Sequence, residues 1–230
     1  SKNSSADIDA LLLTHLHTDH VIDLYQLIIS SWHSDRTSKW KIYGPKGTKK
    51  FVKKIMDAWK DERLQRIKYE ARSSTQAFNI VVKEFKYKGN FQIKDLKITY
   101  FEVDHKPVKY AYGFNFINKN KKLTISGDTR PCENIMKYGQ RADVLLHEVF
   151  IDGELKQTNK MRSKKTLHNV RSYHTPSSIV GKIAKLAKCK KLVLTHLVPT
   201  VFNEKKLIET VKADFGKKPI IGKDLLKIII

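Results

Sequence analysis

Thr14-His15-Leu16-His17-Thr18-Asp19-His20 places three imidazoles and a carboxylate within six residues. Imidazole nitrogen and carboxylate oxygen are the ligands that borderline divalent ions prefer. On an extended backbone leaving a strand, His15, His17 and Asp19 sit at alternate positions and project to one side. His20 then turns inward where a helix begins. A lone histidine is most often a packed or surface residue, but four ligands this close together point to metal. They are too few for a pair of ions, so other parts of the chain must contribute. Three residues stand in suitable places: His105, Asp128 in Ser126-Gly127-Asp128-Thr129, and His196 in Leu194-Thr195-His196-Leu197. Each is expected just past the carboxyl end of a strand, where ligands gather in layered α/β folds. His147, in an apolar strand end, reads as a packed partner of its neighbours, and His33 and His168 read as exposed.

The elements that must position these residues follow from hydrophobic periodicity. Residues 9–13 form a short apolar strand, and residues 21–32 continue at helical spacing. A β-type segment at 41–43 leads into the turn Gly44-Pro45-Lys46-Gly47. Thr48 is expected to cap a helix whose apolar positions are Phe51, Val52, Ile55, Met56 and Trp59. The middle of the chain is strand-rich, with runs at 80–85, 96–103 and 112–116 separated by Lys-Gly-Asn and Lys-Pro punctuation. Strands at 123–126 and 144–146 flank a helix at 133–138, and helices at 177–187 and 205–213 surround a strand at 192–194. Residues 152–172 read as a polar, basic loop. Trp32, Trp40 and Trp59 suit core or interface packing. The alternation predicts an α/β fold with helices covering sheet faces, as a single domain over residues 1–230 without repeats or low-complexity tracts.

Composition narrows the setting. Forty-five Lys and Arg against 23 Asp and Glu give a net charge of +22. Such a field concentrates polyanions such as RNA, or steers small anions. The basic residues run from Lys2 to Lys227 without a stripe, a spread that a lysine-rich composition produces with no function attached and that is equally compatible with nonspecific RNA binding. No apolar run approaches the ~20 residues of a membrane span, and the start of the chain lacks a signal-peptide core. A cytoplasmic protein with no membrane partner is expected. Cys132 and Cys189 are too few and too far apart for a disulfide framework, so reduced thiols are expected.

The sequence resembles the metallo-β-lactamase superfamily, nearest to its ribonuclease Z and arylsulfatase-like branch. The resemblance is carried by Thr14 to His20, Tyr43-Gly44-Pro45-Lys46-Gly47, Val103-Asp104-His105 with Tyr112-Gly113, Gly127-Asp128-Thr129-Arg130-Pro131, Leu146-His147-Glu148, His174-Thr175, and Leu192 to Leu197. It implies an αββα sandwich and two divalent ions. Zinc is the best match to the ligands, with manganese or iron also allowed. His15, His17 and His105 would bind one ion, Asp19, His20 and His196 the other, and Asp128 would bridge. A shared hydroxide between ions about 3.5–4 Å apart would be the nucleophile. Asp19 would also orient or deprotonate that water. His174 would donate a proton to the leaving group, held by Glu148. The basic run Lys156, Lys160, Arg162, Lys164, Lys165 and Arg171 would clamp a phosphate or sulfate over the metals.

Two departures from the branch shape the functional expectation. Its members place several strands ahead of the histidine cluster, whereas this chain reaches the cluster at His15, so the N-terminal part of the fold is expected to be missing. Residues 117–126 also leave no room for the long arm with which ribonuclease Z grips tRNA. The leading expectation is a metal-dependent hydrolase of a phosphodiester, including RNA. The alternative is an arylsulfatase-like or other small anionic ester hydrolase. A nucleic-acid-binding protein without catalysis is disfavoured because no ligand is lost. A homodimer is compatible with the sequence.

Overall fold

The computed structural model describes residues 4–156, 158 and 162–230. The chain divides into two compact units, Ser1–Lys86 and Tyr87–Ile230.

The first unit is built on a three-stranded parallel sheet in the order β1 (Leu11–Leu12), β2 (Trp40–Gly44), β3 (Ile80–Glu84). After β1 the chain forms a single helical turn, α1 (Thr18–Val21), and then α2 (Leu24–His33). Leu13, Val21, Leu24, Ile28, Trp40, Ile42 and Val52 are buried together as the core of this unit. Trp32 and Trp40 are buried as expected, whereas Trp59 is 48% exposed and stacks on Tyr25 with ring centroids 5.3 Å apart. Arg36, 2% exposed, satisfies its guanidinium on the carbonyls of Ala6, Ile8, Ser38 and Lys39 and lies 4.0 Å over the Trp40 ring. A buried cation with four hydrogen bonds to backbone carbonyls fixes the segment that leads into β1.

The turn at Gly44 to Gly47 leads into α3 (Thr48–Ala58), but Thr48 does not cap it. Gly47 is the cap residue. Thr48 lies inside the helix, buried, and its hydroxyl donates back to the Pro45 carbonyl at 2.7 Å. A further helix, α4 (Lys60–Glu70), has no buried residue and therefore no strong apolar period in the sequence. It is supported by Glu62–Arg66 and Arg66–Glu70 pairs four residues apart, spacing that stabilises an exposed helix by a few tenths of a kcal/mol per pair.

The second unit contains a seven-stranded sheet in the order β10-β9-β8-β7-β6-β5-β4. Strands β4 (Lys88–Ile93), β5 (Leu96–Glu102), β6 (Tyr112–Asn118) and β7 (Lys121–Ile125) form an antiparallel meander. From β7 onward, β8 (Val144–Phe150), β9 (Lys191–Val198) and β10 (Ile220–Ile221) run parallel. Lys88-Gly89-Asn90, read as punctuation, lies within β4 and pairs with β5. Only two residues join β6 to β7, so no arm protrudes there. The helices are α5 (Glu133–Tyr138), α6 (Lys164–Ser172), α7 (Ser177–Leu186) and α8 (Glu204–Phe215). Leu145, Leu192 and Leu194 of the sheet are buried with Val180 and Ala184 of α7 and Leu207 and Val211 of α8. Gly181 permits close packing of α7 on α8: a Cβ there would meet the Val211 carbonyl oxygen at 2.6 Å. The expected loop at 152–172 is partly helical, because the Ser163 side chain accepts from the Thr166 amide and starts α6. Lys160 of the basic run lies outside the described residues.

Candidate metal centre

In the first unit, the loop after β1 carries His15 and His17, but Asp19 does not continue the extended alternation. Asp19 and His20 both belong to the α1 turn, with His17 as its cap residue in an extended conformation. The result is a cluster nonetheless. His15 is fully buried, its Nδ1 lies 3.0 Å from the Thr14 hydroxyl, and its Nε2 lies 3.0 Å from His17 Nδ1. Two nitrogens on one tetrahedral ion, each at about 2.0–2.1 Å, stand about 3.3 Å apart. The His20 ring centroid is 4.1 Å from that of His15, and His20 Nε2 is 3.3 Å from an Asp19 oxygen. Asp19 is exposed at 64% of its side chain.

In the second unit, His105 follows β5 and is 1% exposed. Its Nδ1 lies 2.8 Å from the Tyr173 carbonyl oxygen. A carbonyl only accepts, so Nδ1 carries the hydrogen and Nε2 presents its lone pair, an orientation typical of a metal-binding imidazole. That Nε2 is 3.9 Å from Asp128 Oδ2. Asp128 is 3% exposed and follows Gly127, whose φ of 61° lies in the left-handed region and turns the chain sharply after β7. His196 Nε2 is 3.3 Å from the same Asp128 oxygen. One Asp128 oxygen thus has two imidazole nitrogens within 3.9 Å.

His196 reaches this position through a β-bulge. In the β8–β9 pairing Glu148 opposes Thr195 and Val149 opposes Leu197, so His196 is the extra residue. Its φ is 44°. A bulge with a left-handed residue re-aims one side chain without ending the strand. His196 is expected after its strand, whereas the strand continues past it to Val198.

His174 follows α6 and is 6% exposed, with Nδ1 3.3 Å from Glu148 Oε1. The same carboxylate oxygen accepts the backbone amides of Thr175 at 2.9 Å and Thr129 at 3.2 Å. The His174 and His196 rings stack at 5.5 Å, and Asp128, His174 and His196 offer ligand atoms within 4.8 Å of one another. Burial, together with the nearby Asp128 charge, raises the Glu148 carboxyl well above its ordinary range, against the pull of those two amides. His147 is fully buried and donates from Nδ1 to the Glu148 carbonyl at 2.7 Å. Burial lowers its pKa to about 4, so it stays neutral and serves packing, as its apolar setting suggested.

Asp152 was not singled out in the sequence, yet it fixes the segment around His174. Its carboxylate accepts from the Ser178 amide and hydroxyl at the start of α7 and from Arg171 at 2.8 Å near the end of α6. A polar residue at the start of a supposed loop gives no local signal of that role. Arg171 thereby uses its Nε on Asp152, and its side chain stays half exposed. His33 and His168 are exposed, as expected. Both cysteines are free thiols. No helix among the described residues is long and apolar enough to cross a membrane.

The donor set is imidazole and carboxylate in both units, which suits divalent first-row ions. Comparison with known proteins agrees. The chain is 28% identical over 229 residues to a ribonuclease Z of Mycobacterium bovis (strain BCG / Pasteur 1173P2), covering 97% of this chain and 80% of that one. Among solved structures, the metallo-β-lactamase fold protein YhfI from Bacillus subtilis superposes with a TM-score of 0.71 at 21% identity, covering 96% of this chain and 77% of that one. The short form of human tRNase Z gives 0.66 at 20% identity, with 98% and 80% covered. Fold and ligand groups therefore define a metal-dependent hydrolase with the metallo-β-lactamase fold, with ribonuclease Z among its relatives. More narrowly, the chain belongs to the family described as Anti-Pycsar protein Apyc1, whose profile matches residues 1–174.

Proposed function

We propose that the chain is a binuclear metal-dependent phosphodiesterase acting on small anionic phosphodiesters. The observation that carries this reading is the buried Asp128 carboxylate with an imidazole nitrogen 3.9 Å away on His105 and another 3.3 Å away on His196. Two histidine donors close to one buried carboxylate oxygen support a carboxylate shared between two ions. His15, His17 and His105 would hold one ion and Asp19, His20 and His196 the other, with zinc the best match for the donors. When bound, such a pair supplies Lewis acidity and lowers the pKa of a shared water.

The protein's own groups complete the chemistry. The exposed Asp19 carboxylate would orient the attacking water and take its proton. His174, held at Nδ1 by Glu148, would give a proton from Nε2 to the leaving oxygen. A cavity of about 460 Å³ beside His196, lined by Thr195, Thr200, Lys223, Asp224 and Leu226 among others, offers room for the non-reacting part of a small ester. The two-residue β6–β7 connection supports small substrates over a tRNA body, so RNA would be bound loosely, through charge. The same features support a second reading as an arylsulfatase-like hydrolase, since both esters present tetrahedral oxyanions to the same machinery. A homodimer and a cytoplasmic setting are compatible with either.

The test is a turnover panel on metal-loaded protein comparing an aryl phosphodiester, an aryl sulfate and a precursor tRNA. The proposal expects the phosphodiester to turn over fastest. Turnover of the sulfate alone would replace this reading with the second, and site-specific tRNA 3′ processing would overturn the assignment to small substrates.

A further inference from the structure

The first unit carries a groove of about 780 Å³ between α3 and β3, a volume within the range of about 300–1,000 Å³ common to small-molecule sites. Its floor is apolar. Val52 and Met56 of α3 face Ile80 and Val82 of β3, with Phe78 at one end. Val52 is buried and the other four are half-buried, so a continuous apolar strip stays within reach of a ligand. None of these residues belongs to the proposed metal centre.

The rim is cationic. Lys46, Lys49, Lys50, Lys53 and Arg63 surround the floor. Lys53 pairs with Asp57, and Arg63 donates to the Met56 carbonyl with its guanidinium 5.6 Å over the Phe78 ring. Lys46, Lys49 and Lys50 have no acidic partner among the described residues. Glu84, the one carboxylate lining the groove, turns onto the start of α3, where Oε1 accepts the amides of Gly47 at 2.9 Å and Lys49 at 2.8 Å. The helix N-terminus is therefore already occupied, and the three ammonium groups remain for something else.

We propose that this groove binds a small amphiphilic anion, an alkyl or aryl chain carrying one carboxylate or sulfate head. The strip would take the chain, and Lys46, Lys49 and Lys50 the head. Charge complementarity selects this occupant. A second copy of this chain brings its own net charge of +22 against a positive rim. A polyanion such as RNA would use the lysines but leave the apolar strip uncovered. The strip and the cations together require both halves of an amphiphile.

Isothermal titration of the full metal-loaded chain with octanoate, decanoate and dodecanoate, each below its micellar concentration, tests this. The expected result is one saturable site whose affinity rises about fourfold per methylene, with decanol at least tenfold weaker than decanoate. The surface variant Lys49→Glu/Lys50→Glu should weaken decanoate at least tenfold and leave small-phosphodiester turnover unchanged. Met56→Glu should abolish binding; if it fails to fold, the lysine variant decides alone. Absence of saturable binding, affinity independent of chain length, or decanoate binding untouched by the lysine variant would overturn the proposal. Binding of an acidic amphipathic peptide with no response to the free acids would overturn it in favour of a protein-docking groove.

Discussion

Glu148 is buried in β8, and its Oε1 gathers the Thr129 amide, the Thr175 amide and His174 Nδ1 at one point. The carboxylate is more useful as an anchor than as a ligand, because it ties the loop that follows Asp128 to the turn that carries His174. His174→Ala is therefore expected to leave metal content nearly unchanged and to lower turnover about 100-fold on a substrate with a poor leaving group, as for loss of a general acid. Metal analysis and single-turnover rates check both halves; loss of metal would make His174 a ligand instead. His147 gives a pH prediction. Its folded pKa of about 4 lies below the ordinary value of 6.5 because burial penalises the charged ring. A depressed folded pKa contributes stability that is present above the unfolded pKa and lost as pH falls toward the folded one. Between pH 7 and pH 5 the native state should lose about 2 kcal/mol from this residue. Urea unfolding of the wild type and of His147→Gln across that range measures it, and the variant should be less acid-sensitive.

At the scale of elements, two devices bring ligands to bear that no residue pattern announces. The bulge at His196 and the left-handed turn at Gly127 both depend on backbone geometry set by the partner strand and the chain turn. Gly127→Ala should cost roughly 1–2 kcal/mol through its positive φ, and should weaken metal binding by displacing Asp128. Asp152→Ala should cost about 1 kcal/mol by uncapping α7, and should lower turnover by loosening the Arg171 end of α6 ahead of His174. Thermal melts and kcat on the two variants separate stability from positioning. The ligand residues were legible because type and spacing state their chemistry directly. Strands β2, β5, β6 and β8 and helix α5 were legible from apolar runs. What escaped was what lacks an apolar period: α4, which buries nothing; the polar start of β4, which only pairing with β5 makes a strand; and α6, which begins on a serine cap inside a basic stretch. A threonine after Gly47 can cap or enter a helix, and the hydroxyl bond of Thr48 to Pro45 decides in favour of entry.

For the whole molecule, the charge of +22 and the short β6–β7 turn favour different substrates. Diffuse charge gives polyanion binding that falls steeply with salt, because each neutralised phosphate releases counterions. RNA binding should therefore vanish as salt rises from about 50 to several hundred mM, while turnover of a small phosphodiester persists, since metal ligation and local hydrogen bonds are screened far less. Homopolymer filter binding and ester turnover across one salt titration check this, and parallel loss of both would place the surface charge in the reaction itself. The proposal on which the chemistry depends is that two ions share Asp128. Its most direct test is metal content per chain, measured by mass spectrometry on purified wild type and Asp128→Ala under identical loading. Close to two divalent ions are expected in the wild type and depletion of both in the variant; a full complement in Asp128→Ala, or a single ion in the wild type under saturating metal, would rule out the shared carboxylate.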